Sequence, residues 1–378
     1  MELTNLSFSK KLNWVIRLTS IFWIMAKLIS CKLWLADRLF PLVPPFEFLT
    51  APSIAHTILY VISLVLLGLL IFIPQNKWLF IFVISVELVS CLFDQNRWQP
   101  WEYQYIITLL VILFNYKNEK NILSLIIFIM AGTYFYSGLT KVNPVFLQSI
   151  WNNLLLSKTF GLSYQTTHQW WVYNAGYLIG IIELIFAVGL FFKATFRAAT
   201  YLLVAMHIII IGVFGPFGLN YDHVVWPWNL TMLSYLFILI LFNSGFTFSM
   251  SFLHLKRNWP VVILFGIMPL FSLWGKWDFF LSSSLFSSRP TDMYVCLPQN
   301  SDSALLKFSV PNQSPCGDSS VVLNIRTWAF EEMGAPAYPQ TRVYNVIQNK
   351  LQKTYPDLQA VYYKYEYKGG KKRKMEMR

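Results

Sequence analysis

The sequence predicts an all-α polytopic membrane helix bundle of about nine transmembrane helices, followed by a small C-terminal extramembrane α+β domain. Three observations carry that expectation. Only 13% of the 378 residues are charged, whereas 56% are hydrophobic and 18% aromatic; an average soluble protein carries about 25% charged residues. Up to about residue 285 the apolar residues fall into long runs separated by short polar loops. Beyond that point the composition becomes that of a small soluble domain. Together these exclude a water-soluble two-domain protein, a disordered chain and a repeat solenoid, and four cysteines are too few for a disulfide-built scaffold. The domains expected are therefore 1–285 and 286–378.

Each span needs roughly 20 apolar residues to cross about 30 Å of hydrocarbon. The runs that meet or approach this are 13–34, 53–73, 78–94, 103–117, 121–141, 172–192, 196–215, 226–243 and 260–280. The fourth is short, and the first contains Lys27 and Lys32. Lys10, Lys11 and Arg17 lead into a run with no small-residue cleavage site, so the first span is expected to stay as an anchor. With the N-terminus cytoplasmic, the inner loops hold ten basic residues: Lys10, Lys11, Arg17, Lys77, Lys117, Lys120, Lys193, Arg197, Lys256 and Arg257. The outer loops hold four, Arg38, Arg97, Lys141 and Lys158. The positive-inside bias then places the N-terminus in the cytoplasm and the C-terminal domain outside. The net charge of +12 is thereby assigned to inner loops and the basic tail, with no need for nucleic acid.

In the C-terminal domain, 305–310 and 321–325 read as strands, 328–333 and 342–353 as short helices, and 362–367 with Gly369-Gly370 as a hairpin. Cys296 and Cys316 lie here, on the side where a disulfide can persist; they are either that disulfide or two separate buried thiols. Cys31 and Cys91 sit in apolar runs as packing residues.

Ionisable groups are costly inside a bilayer and default to partnered structural or functional roles. Glu87, Cys91 and Asp94 share one face of the third span by helical periodicity. Gln95, Asn96, Arg97, Trp98, Gln99, Pro100, Trp101, Glu102 and Tyr103 follow as a turn dense in hydrogen-bonding and aromatic groups. The fifth span ends in Tyr134, Tyr136, Ser137, Gly138 and Lys141; the sixth carries Glu183 and the seventh His207. Asp222, His223, Trp226, Trp228 and Asn229 follow the seventh. Topology thus brings Asp94, Arg97, Lys141, Asp222 and His223 to one membrane face.

Plainer roles exist for each. Trp98, Trp101, Trp226 and Trp228 can form an interfacial belt, Asp94 can pair with Arg97 to staple a turn, and Glu183 can hydrogen-bond His207. Lys141 can snorkel to the headgroups. Residues 145–158 read as an amphipathic interfacial helix, either a flap over a site open to lipid or a plain connector. No phosphate-cradling loop, paired-cysteine metal spacing or nucleophile elbow is present. Asp222-His223 alone is weak evidence for a metal, and no metal site is expected.

Asp94-Gln95-Asn96-Arg97-Trp98 with Tyr103-Gln104-Tyr105, Tyr134-Phe135-Tyr136-Ser137-Gly138-Leu139-Thr140-Lys141-Val142, and Met206-His207 together resemble the horizontally transferred transmembrane (HTTM) domain superfamily. That superfamily contains the vitamin K-dependent gamma-carboxylases, and the resemblance covers roughly residues 10–280. It implies that Lys141 matches the lysine implicated there in deprotonating vitamin K hydroquinone. The carboxylases have a histidine just past the fourth span, where this chain reads Phe114-Asn115-Tyr116-Lys117, and a far larger lumenal region. Gamma-carboxylation of glutamate is therefore not implied. A looser similarity is to DoxX-like membrane proteins of quinone-linked redox chemistry. A composition rich in Ile, Asn, Lys and Phe suits a Bacteroidota-type bacterium, and the expected location is a bacterial inner membrane.

The expected chemistry follows from desolvation. A dry pocket disfavours an ammonium and makes a lysine a usable base. Lys141 would take a proton from a lipophilic hydroxyl such as a quinol, with Arg97 or His223 stabilising the oxyanion and Asp94 and Asp222 orienting those cations. Trp98, Tyr134, His207, Glu183 and Trp226 would contact the quinone or hydroquinone. The expected partners are the bilayer and that small molecule. The alternative is a non-enzymatic membrane subunit that scaffolds membrane or periplasmic proteins through its external domain.

Overall fold

A computed structural model describes residues 7–241, 248–284, 290–311, 315–316, 320–368 and 371–377. The end of the 226–243 run, the boundary at Leu285 and the Gly369-Gly370 turn lie outside the described residues. The main helices are α1 (Phe8–Ile29), α2 (Ser53–Phe72), α3 (Lys77–Phe93), α4 (Pro100–Asn115), α5 (Glu119–Lys141), α6 (Tyr177–Gly189), α7 (Phe196–Phe214) and α8 (Val225–Tyr235), then α9 (Ile325–Met333) and α10 (Thr341–Thr354).

Among the described residues, six helical stretches are long and apolar enough to cross a membrane: Phe8–Ile29, Ser53–Phe72, Glu119–Lys141, Trp170–Gly189, Phe196–Phe214 and Lys256–Trp274. They mark an integral membrane protein. On α2, Ile58, Val61, Val65 and Phe72 are at least half exposed. A helix apolar on its outward face belongs in lipid, where every backbone polar group must be satisfied internally. The expected third, fourth and eighth spans are helical but shorter: α3 has 17 residues, α4 has 16, and α8 has 11 before a π-helical turn at Leu236–Leu241. Lys256–Trp274 alternates 3₁₀, α and π turns. Pro260 and Pro269 remove two backbone donors from that stretch, which interrupts regular α pairing.

The fold divides into two compact units. The first comprises Met1–Lys27, Ile62–Glu87 and Gln99–Ser288, and the second Leu28–Val61, Leu88–Trp98 and Arg289–Arg378. The C-terminal sheet shares a unit with two segments from the helical part of the chain.

In the first unit α5 is the most buried of the six stretches. Asn118 caps it by accepting from the Asn121 N–H at 3.0 Å, with Glu119 in its first turn and Lys141 in its last, both favourable to the helix dipole. Asn143-Pro144 ends it, and the Asn143 side chain caps the next segment by accepting from Val145 N and Phe146 N. That segment runs as a π-helix over Leu147–Thr159, a wider winding than the amphipathic α-helix expected there.

In the second unit, five antiparallel strands are ordered β2-β3-β1-β4-β5: β1 (Asp292–Pro298), β2 (Ser309–Pro311), β3 (Ser320–Asn324), β4 (Val361–Lys368) and β5 (Lys371–Met377). Met293, Val295 and Leu297 of β1, Trp328 of α9 and Val343 and Ile347 of α10 are fully buried and form its core. The Cys296–Cys316 disulfide is formed, with Cα atoms 5.5 Å apart. The expected strand at 305–310 is corrected: Asp302 accepts from Ala304 N at 2.8 Å and turns Ser303–Leu306 into a helix, leaving only Ser309–Pro311 as strand. Gly334, at φ +69°, ends α9, and a Cβ there would stand 2.8 Å from the Ile29 carbonyl oxygen.

Candidate functional site

The first unit encloses a cavity of about 530 Å³ between α5, α6, α7 and α8, a size that suits a small-molecule ligand. Most of its lining is apolar, including Phe146, Ile150 and Leu155 from the 144–159 segment. The polar exceptions gather on α5 and its neighbours: Tyr134, Ser137 and Lys141, with Glu183, His207 and Asn229. Ile182, Leu202 and Ile209 line the cavity and are 42%, 45% and 63% exposed. On membrane-length helices such residues face lipid, so the cavity has an apolar rim on the bilayer side.

Tyr134, Ser137 and Lys141 are spaced i, i+3, i+7 and therefore line one face of α5. The Lys141 ammonium donates to Ser137 Oγ at 2.8 Å and forms an ion pair with Glu183, both side chains being nearly buried. Glycines make the pairing possible. A Cβ on Gly138 would stand 2.7 Å from the Gly180 carbonyl oxygen, and one on Gly180 would stand 2.7 Å from that of Gly138. Only the absence of both side chains lets α5 and α6 touch backbone to backbone, in the manner of small-residue crossings in membranes.

The second polar group is a chain. Tyr134 Oη lies 2.7 Å from His207 Nε2, and His207 Nδ1 lies 2.7 Å from Asn229 Oδ1. Asn229 Nδ2 donates to the Val225 carbonyl at 2.7 Å, which fixes the amide so that Oδ1 faces the histidine. As a neutral imidazole, His207 then donates from Nδ1 and accepts from Tyr134 at Nε2. In that tautomer the Tyr134 hydroxyl commits its proton to His207 and keeps oxygen lone pairs for a further donor. The expected Glu183–His207 hydrogen bond is thus corrected: each has a partner of its own, because the glycine crossing aligns Glu183 with Lys141.

Asp94 and Arg97 belong to the second unit. Asp94 pairs with Arg38 rather than Arg97, and accepts from Val43 N, Asn96 N and Asn96 Nδ2. Arg97 is fully buried and donates to the carbonyls of Leu33, Trp34 and Ser90, with His56 Nδ1 at 2.8 Å. Asn96 Oδ1 accepts from Tyr338 N at 3.0 Å, and Gln95 Oε1 from Arg342 Nε at 2.8 Å. The Asp94–Arg97 motif therefore organises the interior of its own unit. Trp98 is half-buried there. In the first unit, Asp222, His223 and Trp226 are not among the residues lining the cavity. Asp222 has φ +53°, His223 is exposed with its ring 5.2 Å from that of Trp226, and Trp226 donates to the Phe214 carbonyl at 3.1 Å.

Ser137 and Asn229 complete the site although the sequence singled out neither as a site residue; the i, i+3, i+7 spacing on α5 was the available signal for Ser137. Among the described residues no group of three or more His, Cys, Asp or Glu side chains is arranged to hold a metal ion. No protein-family model, no curated protein and no solved structure matches this chain.

Proposed function

We propose that this integral membrane protein is an enzyme that admits a lipophilic hydroxyl compound, quinol-like in character, from the bilayer into the α5–α8 cavity and removes its proton with Lys141. The observation that supports this reading most is the Lys141–Glu183 pair at the wall of a mostly apolar cavity with a lipid-facing rim. In a dry site an ammonium–carboxylate pair and its neutral amine–acid form lie closer in energy than in water, because desolvation penalises charge. With the proton on Glu183, the Lys141 amine is free to accept the substrate O–H proton. The resulting ammonium and the Ser137 hydroxyl then face the oxyanion. Tyr134, oriented by His207 and Asn229, offers an acceptor to a second hydroxyl of the same ring. The resemblance to the HTTM superfamily agrees with this reading, as does a nine-span topology with cytoplasmic N-terminus and external C-terminal domain in a bacterial inner membrane. Asp94 and Arg97 have no part in the step.

The test uses 2-naphthol, a lipophilic phenol whose anion absorbs to the red of the neutral form. The purified protein in mild detergent is expected to bind it as the anion at neutral pH, and Lys141→Met to bind it neutral. Absence of bound anion in the wild type, or an unchanged anion signal in Lys141→Met, refutes the assignment. A stoichiometric co-purifying protein with no naphthol binding would favour the scaffold reading instead.

A further inference from the structure

A second polar network lies in the first unit, and none of its members lines the cavity. From α1, Lys27 Nζ donates to Glu87 Oε2 of α3 at 2.7 Å. Ser63 of α2 donates to the other oxygen of Glu87. One turn before Lys27, Trp23 Nε1 donates to Glu102 Oε2 of α4 at 2.6 Å. Lys27, Glu87 and Glu102 are fully buried. Glu102 Oε1 has no hydrogen-bond partner among the described residues, although it is shut off from solvent. Trp23 and Lys27 are four residues apart on α1, so the Glu102 and Glu87 carboxyls they bind are held side by side along one face of that helix.

The charge balance is decisive. Among the described residues one ammonium faces two carboxyl groups, so with both ionised the network would carry a net negative charge sealed from water. An uncompensated buried charge is strongly destabilising, and two buried carboxylates sharing one cation repel unless one of them takes a proton. Glu87 has a donor on each oxygen and suits the ionised form. Glu102 has one donor and one orphaned oxygen, and suits the protonated form. The other titratable groups packed nearby are already engaged: Tyr105, whose ring lies 5.2 Å from that of Trp23, shares a hydrogen bond with Thr231, and Tyr235 shares one with Thr19. Neither supplies a second cation.

We infer that Glu87 and Glu102 hold one proton between them and form, with Lys27, a proton-binding site inside the helix bundle. The ligand is the proton itself, carried by Glu102 beside the ionised Glu87, which leaves Lys27, Glu87 and Glu102 neutral as a group. The site gives the bundle one exchangeable proton independent of the Lys141–Glu183 pair.

Infrared spectroscopy of the full chain in detergent reads this directly. The wild type is expected to show the carbonyl stretch of a protonated carboxylic acid at neutral pH, shifted in D₂O. In a Glu183→Gln background, where the Lys141–Glu183 pair contributes no acid carbonyl, the band should be lost in Glu102→Gln and retained in Glu102→Asp. Glu102→Gln mimics the protonated acid and is expected to fold. Lys27→Met removes the cation, so a second proton is taken up and the band about doubles. Absence of the band in Glu183→Gln, its survival in Glu183→Gln/Glu102→Gln, or its bleaching by added sodium (which would mark a metal-cation site) overturns the inference.

Discussion

Replacing Gly138 with alanine puts a methyl carbon 2.7 Å from the Gly180 carbonyl oxygen, 3.0 Å from Leu184 N and 3.2 Å from Glu183 Cβ. Two of the three obstacles are backbone atoms, so no rotamer change relieves them. Ordinary contact begins near 3.4 Å, and α6 must therefore recede by about 0.7 Å. Overpacking of this kind destabilises by about 1–3 kcal/mol. At roughly 2–4 °C per kcal/mol for a unit of this size, the thermal midpoint is expected to fall by about 2–12 °C. The receding helix carries Glu183 with it, so the naphtholate signal should also weaken. The matched control is Gly212→Ala on α7, where an added Cβ meets nothing within 4 Å and a helical Gly→Ala change is neutral or stabilising. Thermal scans of both variants in one detergent decide the matter. Equal midpoints for Gly138→Ala and Gly212→Ala would refute the claim that backbone contact sets the Lys141–Glu183 pair.

Lys141→Met leaves Glu183 buried without its cation and should destabilise by about 3–5 kcal/mol, with Lys141→Met/Glu183→Gln recovering most of the loss in the same thermal scan. Asn96→Ala removes the acceptor of the buried Tyr338 N–H; a loss of about 1–3 kcal/mol is expected, with faster amide exchange at Tyr338. Burial lowers the Lys350 ammonium below its usual 10.5, opposed by Asp94 and reinforced by Arg38 and Lys353. The unfolded chain therefore binds the extra proton, so stability rises as pH climbs from the lowered value towards 10.5. Lys350→Met should stabilise the second unit at neutral pH and lose that advantage in alkaline buffer, as read by denaturant midpoints across pH.

The helical runs were legible because hydrophobicity is local: among the described residues each expected run contains helix, six helical stretches are long and apolar enough to span a membrane, and α5 and α7 end within a residue of the expected limits. Pairings were not, because they depend on which distant groups meet. Lys27 made the first run look doubtful, yet its partner Glu87 lies 60 residues on, and the ion pair is what allows a lysine in α1. Asp94 was read against its neighbour Arg97, but Arg38, from a loop, reaches it first. Tyr134, Lys141, Glu183 and His207 were all identified, and their grouping into two pairs required the glycine crossing. In the C-terminal part, Trp328–Met333 with its terminal Gly334 announced a helix, whereas β1, whose neighbours on both sides arrive from later in the chain, carried no comparable mark.

The meeting of Gly138 and Gly180 has a dynamic consequence. Where main-chain contact sets the spacing of two helices, the gap between Lys141 and Glu183 does not depend on the attraction between their charges. Neutralising the pair removes the Coulomb term but not the contact that holds α5 against α6. A proton can then cross from nitrogen to oxygen with the heavy atoms almost stationary, and the reorganisation that slows proton transfer in water is largely avoided. Two missing side chains thus make the pair a gap of fixed width, across which only hydrogen has to move.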